Sequence, residues 1–398
     1  MRALDVFVGV TRVGLLERLD EFEHRFLFDD DWLEDPVRPV LGQIFEDKKP
    51  RPIYTTGQMP LWFEHLLPPE KAPLRRAFAR QTGLDPADGF DLLWNAGTDL
   101  PGAVALAHGE PSLRPAPGTP RDEGPPATPS EFRLSFAGQQ WKLSVREGER
   151  GLVVPVEGAE ASYMAKFHDP SYPELPRVEY ATMRWASLSG IEVPPIRLGR
   201  LTDFERLPEE TPTGDGTVFL IERFDRRRGG VRVHMEDFAQ VLDRPPAGIF
   251  RAPSEHLAIV VATLCPSSLR ALCERLVFCA ICGNGDGHLK NWSLLYPDGR
   301  RPVLSPAYDI IATVLYPAID DWLALSLGGS DRFETVRAAS FEKFARVSGV
   351  SFDEVSHWAE DAARRARQAF AEHGAELPLT AAEHSRLEWH LARVPLGR

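Results

Sequence analysis

The sequence predicts an α+β protein in which a small mixed unit precedes a strand-rich region and then a helical region. Short apolar runs typical of strands dominate residues 131–230, whereas a helical period recurs through residues 231–398. A proline-rich segment, residues 110–130, separates both regions from residues 1–109. The length of 398 residues agrees with two or three domains.

The first region is expected to combine strands and helices. Residues 1–35 alternate apolar and polar side chains, which predicts a meander of short strands interrupted at Gly9 and Gly14. Residues 58–107 contain apolar segments that each end at proline or glycine, so we expect helices there. No cluster of acids or histidines suggests chemistry in this region.

The segment of residues 110–130 contains seven prolines, which exclude a helix or a central strand. It is therefore expected to be a linker or a long exposed loop. Beyond it, the pattern predicts strands around one helix and then a series of helices. The expected strands lie in residues 131–145 (with a turn at Ala137–Gly138), 151–157, 161–168, 193–201 and 217–226, and the expected helices are Arg177–Leu188, residues 271–282, Asp353–His373 and Ala381–Val394.

The composition excludes some classes of function. The formal net charge is −12, whereas a protein that binds nucleic acid through its own electrostatics needs a basic surface. No apolar run reaches the roughly 20 residues that span a bilayer. The N-terminus lacks the apolar core and cleavage site of a signal peptide. We therefore expect a cytoplasmic protein with no membrane partner.

Four cysteines within 18 residues allow two interpretations. A CxxC pair is a common zinc-binding element, which favours a metal site. The same residues fall in an apolar, helix-like run, where cysteine acts as a small buried hydrophobic residue. Because no clear second ligand pair follows, the buried helix is the favoured interpretation. The four are Cys265, Cys273, Cys279 and Cys282.

An acid, an amide and a second acid form the strongest functional pattern. Asp286 lies on a glycine-flanked turn, Asn291 follows five residues later, and Asp309 lies beyond a predicted hairpin. A turn without function would explain Asp286 alone, and a strand cap would explain Asn291. Together they match the spacing of a phosphoryl-transfer site. In that role Asp286 orients a substrate hydroxyl group, while Asn291 and Asp309 bind Mg²⁺.

Lys166 is an isolated lysine in an apolar strand pattern. A lysine at a sheet edge that extends its ammonium group to solvent is one explanation. The favoured alternative is a lysine that pairs with the α- and β-phosphates of a nucleotide and is held by a glutamate on a helix. Glu179, on the following helix, is the expected partner, and Glu174 is the second choice.

Residues 135–142 (SFAGQQWK) would then form a loop over the phosphates. The segment has one glycine and lacks the GxGxxG pattern, so the motif alone is weak evidence. Its candidate nucleotide-binding residues are Ser135, Ala137 and Gly138.

Glu222 and Phe224 are expected to lie in the connector between two lobes. Backbone groups at these positions would hydrogen-bond adenine. A surface ion pair between Glu222 and Arg223 is the alternative interpretation.

Three further polar positions near these segments need an interpretation. His288 is expected to fix the catalytic turn beside the cofactor instead of acting as the base, and Lys290 is expected to steady the transferred phosphate. The polar residues of His234–Asp237 would suit a metal cluster. A helix that begins there, with acids in its first turn, is the favoured alternative because it suits the helix dipole.

Several of these segments together resemble the HipA family of bacterial serine/threonine kinase toxins, over nearly the whole chain. They are AKF, VEYATM, IERFDR, HMEDFAQ, GNGDGHLKNWSLLY and LSPAYDI. The resemblance implies a two-lobed, protein-kinase-like fold, with a β-rich N-lobe, a helical C-lobe and an extra N-terminal α+β subdomain. It implies ATP and Mg²⁺ as cofactors, with Asp286 catalytic, Asn291 and Asp309 as metal ligands, and Lys166 bound to phosphate.

The resemblance also implies partners and regulation. Members phosphorylate an aminoacyl-tRNA synthetase, notably the glutamyl enzyme, which arrests translation and growth and gives persistence. They pair with HipB, a helix-turn-helix antitoxin, through which the acidic chain would reach operator DNA. They autophosphorylate a serine in the phosphate loop, and Ser135 matches that position. The loop departs from the AGAQxK pattern of relatives because Gln139 replaces the second alanine.

Three classes of function therefore remain. The first is an active serine/threonine protein kinase toxin. The second is a catalytically weak, kinase-like binding module that acts as a co-repressor, and the third is a kinase of small molecules or lipids. The intact set of Lys166, Asp286, Asn291 and Asp309 favours the first, since a decayed site should have lost a member.

Overall fold

The computed structural model describes residues 1–46, 52–96, 99–112, 140–155, 161–227, 229–316 and 321–398. The predicted turn at Ala137–Gly138, the candidate Ser135 and most of the proline-rich segment lie outside these ranges. The boundary predicted at residues 110–130 therefore stays a prediction.

The N-terminal unit, residues 1–109, is built on an antiparallel sheet with the strand order β4-β3-β2-β1-β5. Its strands are β1 (Arg2–Val8), β2 (Thr11–Arg18), β3 (Glu23–Phe28), β4 (Ile53–Thr56) and β5 (Val104–Gly109), and its helices are α1 (Asp30–Glu34), α2 (Gln43–Glu46), α3 (Leu61–Glu64), α4 (Pro73–Thr82) and α5 (Gly89–Ala96).

The predicted meander is confirmed, since β1, β2 and β3 pair in sequence order. Gly9 forms the first turn, with φ of 62°. Gly14 does not interrupt a strand as expected. It lies inside β2, where an added Cβ atom would come within 2.1 Å of the Leu27 carbonyl oxygen, so close strand packing explains this glycine. The predicted helical range was too long, because β5 completes the sheet beside β1.

The N-lobe contains a second sheet, ordered β10-β7-β6-β8-β11-β9, and one long helix. Its elements are β6 (Lys142–Glu147), β7 (Leu152–Val153), β8 (Tyr163–Lys166), α6 (Leu175–Leu188), β9 (Ile196–Arg200), β10 (Phe204–Arg206) and β11 (Thr217–Glu222). Apart from the short β10, each lies in a segment where the sequence predicted it. Helix α6 begins two residues earlier than expected, with Pro176 in its first turn.

The C-lobe is mainly helical and confirms the predicted long helices. Its elements are β12 (His234–Asp237), α7 (Phe238–Val241), α8 (Glu255–Leu264), α9 (Leu269–Cys282), β13 (Ser293–Tyr296), β14 (Val303–Leu304), β15 (Trp322–Leu327), β16 (Ser330–Arg332), α10 (Glu342–Ser348), α11 (Phe352–His373) and α12 (Ala381–Leu391). Helix α6 packs into this lobe through Trp185, whose ring lies 5.3 Å from that of Phe278 and 4.7 Å from that of Phe370.

The segment expected to begin a helix with acidic residues is instead a strand. Residues His234–Asp237 form β12, which pairs with β13, and the helix begins only at Phe238. Asp237 caps this helix by accepting a hydrogen bond from the Gln240 N–H group at 2.9 Å. A carboxylate still lies at the helix N-terminus, where it stabilises the helix, but it precedes the first turn.

The N-terminal unit contacts both lobes through buried polar groups. Arg223, at the end of β11, donates to Asp99 at 2.8 Å. Asp225 accepts from the Gly102 N–H group at 2.9 Å. Glu236 accepts from the Trp62 indole at 3.2 Å. These contacts place the unit against the connector between the lobes.

Among the described residues, no helix combines the length and the apolar character that a membrane-spanning segment requires.

Gly283 provides a test of how α9 ends. It has φ of 72°, and an added Cβ atom would lie 2.4 Å from Val314. We expect Gly283→Ala to lower the free energy of unfolding by about 2–4 kcal/mol, because backbone strain and a steric clash add. Gly349→Ala, with φ of 74° and no described atom within 4 Å, should cost only about 1 kcal/mol. Urea unfolding measures both, and equal losses would contradict the steric argument.

Candidate active site

The turn of residues 284–287, which we call the catalytic turn for its predicted role, begins after Gly283, the residue that caps the C-terminus of α9. Asn284 accepts a hydrogen bond from the Asp286 N–H group at 3.0 Å. The Thr313 hydroxyl group accepts from Gly285 N–H at 2.7 Å and donates to the Gly283 carbonyl at 3.0 Å. The local backbone is therefore fixed from two sides. Neither Asn284 nor Thr313 was predicted from the sequence as a site residue, although an asparagine two residues before a turn aspartate is a usable signal.

Asp286 presents its carboxylate to a cleft. Its side chain is 46% exposed, and the oxygen nearest His288 lies 4.0 Å from Nε2 of that ring. The cleft removes part of the carboxylate from water, which raises its pKa above the ordinary value; the His288 ring opposes this shift, and the charge of Asp309 adds to it. The group is thus placed to contact a substrate that enters the cleft.

Asn291 is tied directly to the catalytic turn. Its amide nitrogen donates to the Asp286 carbonyl at 2.7 Å. Its amide oxygen has no hydrogen-bond partner within the described part of the chain, which leaves it available to a cation. The Trp292 indole donates to the Gly287 carbonyl at 2.9 Å and closes the same turn.

Asp309 follows the β13–β14 hairpin, as expected, and has the unusual φ of 53°. Non-glycine residues in this region are uncommon and concentrate at functional sites. Its carboxylate pairs with the Lys166 ammonium group and lies 3.9 Å from that of Lys142. Burial opposes the charged form, but the two lysines hold the pKa of Asp309 well below its ordinary value.

Lys166 is buried between two carboxylates, those of Glu179 and Asp309. The surface position that was weighed for this lysine is therefore excluded. Burial opposes its charge, yet the two acids raise the pKa of Lys166. Complete burial raises the pKa of Glu179 to about 7, against the opposing charge of Lys166. Glu174, the second choice as partner, instead contacts Arg177 at 3.2 Å.

Lys142 is a site residue that sequence reasoning did not single out. It lies directly opposite Lys166 across β6 and β8, so both side chains emerge on the same face of the sheet. It is buried, and Asp309 is its nearest acid. The signal was available, because Lys142 is also an isolated lysine beside an apolar strand.

A cavity of about 110 Å³ lies beside the connector, and its lining includes residues 221–225, Lys166, Asp309, His65 and Lys290. The Glu222 N–H group donates a hydrogen bond to the Pro195 carbonyl at 2.9 Å and is therefore not available to a ligand. The Phe224 N–H group has no partner among the described residues, so it remains available to a ligand. Phe224 packs on Tyr308, with ring centroids 5.5 Å apart.

The alternative of a surface ion pair between Glu222 and Arg223 is not found in the described structure. Arg223 is 4% exposed and pairs with Asp99 and Asp225, both at 2.8 Å. Glu222 is exposed at the end of β11.

A larger cleft of about 430 Å³ contains the catalytic turn and shares five residues with the smaller cavity. The shared residues are Lys142, Lys166, His288, Asn291 and Asp309. The centroid of the His288 ring lies 4.7 Å from that of Phe250. The expected structural role of His288 beside the cofactor stays a prediction. An elongated ligand could therefore extend from the connector to Asp286.

Lys290 does not have the surroundings that were expected of it. Its ammonium group donates to the His65 carbonyl at 2.8 Å, contacts the His65 ring at 3.2 Å and lies 3.6 Å from Asp237. These partners hold the side chain toward the N-terminal unit. The geometry does not support the predicted contact with a transferred phosphate.

The described residues contain no group of three or more His, Cys, Asp or Glu side chains that could hold a metal ion. The four cysteines are free and buried. In the other suggested cluster, His234 contacts the Leu41 carbonyl at 2.9 Å, and Glu236 accepts from Trp62 and Tyr296. Neither set supports a zinc site.

The donors around the catalytic turn suit Mg²⁺. Asp286, Asn291 and Asp309 line one cleft and offer carboxylate and amide oxygens, the ligands this hard cation prefers. Asn291 and Asp309 would hold the ion, and its chemistry there would be to neutralise phosphate charge.

Comparison with known proteins shows the family and agrees with the fold. Residues 4–107 match the family model of the HipA N-terminal domain, and residues 134–371 match that of the HipA-like C-terminal domain. "Putative kinase Y4dM" of Sinorhizobium fredii (strain NBRC 101917 / NGR234) is 33% identical, over 99% of this chain and 98% of its own length. "Putative kinase Y4mE" of the same organism is 29% identical, over 88% and 86% respectively.

Among solved structures, the complex of HipA, HipB and operator DNA from Shewanella oneidensis MR-1 is similar, with a TM-score of 0.72 at 21% identity. The match covers 98% of this chain and 95% of that chain. Fold and site thus define a two-lobed, kinase-like protein with an additional N-terminal subdomain, which confirms the predicted fold class. The chain belongs to the HipA family, as the resemblance indicated.

Lys142→Met tests whether the second lysine binds phosphate. The change keeps the apolar stem and removes the charge. We expect the affinity for a non-hydrolysable ATP analogue to fall about tenfold, because one charged hydrogen bond to the ligand is lost. Lys343→Met, which removes a half-exposed lysine at 3.9 Å from Glu255, is the control. Calorimetric titration measures both, and unchanged affinity in Lys142→Met would exclude the contact.

Proposed function

We propose that this chain is an ATP- and Mg²⁺-dependent serine/threonine protein kinase that acts as the toxin of a toxin–antitoxin pair. The observation that carries the proposal is the convergence of Asp286, Asn291 and Asp309 on one cleft that is also lined by Lys166, the partner of the buried Glu179. Phosphoryl transfer depends mainly on positioning and on charge stabilisation, and these residues supply both.

The two connected cavities indicate how ATP would lie. Adenine would occupy the smaller cavity, with the Phe224 N–H group and backbone near Glu222 as its hydrogen-bonding groups. The phosphates would extend past Lys142 and Lys166 to the metal ligands. The loop with Ser135, Ala137 and Gly138, which lies outside the described residues, would cover them.

Asp286 would receive the substrate. It lies in the larger cleft, beyond the phosphate-facing lysines, with a partly exposed carboxylate. A serine hydroxyl group bound there would donate its hydrogen bond to Asp286 and face the γ-phosphate. His288 would support the turn from its position between Asp286 and Phe250.

The partners follow from the family and from the charge. The similar Shewanella protein was solved with HipB and operator DNA. We propose a HipB-like helix-turn-helix antitoxin for this chain too, with operator DNA reached mainly through it because the net charge is −12. The proposed substrate is a cytoplasmic aminoacyl-tRNA synthetase, such as the glutamyl enzyme, whose phosphorylation would arrest translation and growth.

Loss of either acid should abolish phosphoryl transfer. We expect Asp286→Asn and Asp309→Ala to lower transfer from labelled ATP by at least about a thousandfold, since one loses the hydroxyl acceptor and the other a metal ligand. Asp353→Asn, at the exposed start of α11, should match the wild type. Scintillation counting of labelled synthetase measures all three. A wild-type protein that labels neither itself nor a synthetase would overturn the proposal.

Ser135→Ala should abolish self-phosphorylation, because the substitution removes the hydroxyl group that would receive the phosphate. Intact-mass spectrometry after incubation with ATP gives the phosphorylated fraction. An unchanged fraction in Ser135→Ala would place the modified serine elsewhere.

A further inference from the structure

The side chain of Lys290 extends from the short helical turn that follows the catalytic turn toward the N-terminal unit. Its neighbours in sequence, Leu289 and Asn291, complete a single helical turn with it. Its ammonium group donates to the backbone carbonyl of His65 and also contacts the ring of that residue. His65 directly follows α3, which belongs to the N-terminal unit.

The partners of His65 define its hydrogen-bonding roles. Its Nε2 atom lies 2.6 Å from the Arg244 carbonyl oxygen, which only accepts, so Nε2 carries the hydrogen. The Nδ1 atom is then the acceptor for the Lys290 ammonium group at 3.2 Å. Burial and the positive charge of Lys290 lower the pKa of His65, which agrees with the neutral ring that this arrangement requires.

The backbone of Lys290 contacts the segment that carries Asp309, whereas its side chain contacts the N-terminal unit. Its carbonyl oxygen accepts from the Tyr308 hydroxyl group at 3.0 Å, and Tyr308 directly precedes Asp309. A single buried residue therefore links the N-terminal unit, the catalytic turn and the segment that carries Asp309. Asp237, at 3.6 Å, supplies the opposite charge that a buried ammonium group needs.

We propose that His65 is a positioning residue that acts through Lys290, so that the N-terminal unit completes the active site of the kinase-like lobes. In this arrangement His65 anchors the Lys290 side chain at the wall of the smaller cavity, outside the larger cleft, and thereby orders the segment that carries Asp286 and Asn291. The kinetic part of the inference rests on the proposed kinase activity, whereas the structural part does not.

The His65 ring contacts the Arg244 carbonyl and the Lys290 ammonium group, and two substitutions of His65 separate these contacts. In His65→Asn, the side-chain oxygen can replace Nδ1 as the acceptor for Lys290. In His65→Gln, the side-chain amide can replace Nε2 as the donor to Arg244 but leaves no acceptor at the Nδ1 position. His108→Gln, on the exposed part of the same unit, is the control. Lys290→Met removes all contacts of the ammonium group.

Hydrogen–deuterium exchange measures order in the turn without requiring activity. We expect amides of residues 284–292 to exchange about tenfold faster in His65→Gln, which loses one charged hydrogen bond, and faster still in Lys290→Met, which loses every ammonium contact. Exchange should stay near the wild-type rate in His65→Asn and His108→Gln. Unchanged exchange rates at the amides of residues 2–28 would show that the N-terminal unit is still folded. Unchanged exchange at 284–292 in both His65→Gln and Lys290→Met would overturn the inference.

Steady-state kinetics adds a second, independent comparison. We expect kcat to fall about tenfold in His65→Gln with a smaller change in KM for ATP, and to recover in His65→Asn. If Lys290→Met loses activity while His65→Gln retains it, Lys290 acts on the substrate directly and the inference is wrong. If the wild type transfers no phosphate, the proposed function fails, and the exchange comparison still decides the positioning role.

Discussion

The site depends on one buried ammonium group, that of Lys166, held between Glu179 and Asp309. A charge removed from water is stable only when opposite charges and hydrogen bonds replace hydration. Meeting that requirement brings together β8, α6 and the segment after β14, which are far apart in sequence. The Lys166–Asp309 ion pair thus holds the sheet of the N-lobe against the C-lobe segment that follows β14.

Hydrophobic packing gives those charges their positions. Glu179 lies on α6, whose Trp185 packs between Phe278 of α9 and Phe370 of α11. Helix α9 in turn ends at Gly283, from which the catalytic turn begins. The core of the C-lobe therefore positions both the partner of Lys166 and the backbone that presents Asp286.

The N-terminal unit makes polar contacts at two places, one beside the connector and one beside the catalytic turn. Asp99 pairs with Arg223 beside the connector, where we propose that adenine binds. His65 reaches the catalytic turn through Lys290. An additional domain joined only by a linker would leave such groups in water, where exposed ion pairs contribute little. Their burial indicates that this unit and the two lobes form one structural assembly.

The sequence by itself indicated most strands and the long helix of the N-lobe and the helices α9, α11 and α12 of the C-lobe. It also placed Asp286, Asn291, Asp309 and Lys166 in a kinase-like pattern. Local spacing, and a lysine isolated in an apolar run, carry that information. Only the tertiary structure decided the roles of Lys142 and Lys290. The position of Lys142 beside Asp309 depends on strand register, and the direction of Lys290 depends on His65, 225 positions away. Contacts between residues so distant leave no periodic pattern in a single sequence, because only folding brings them together.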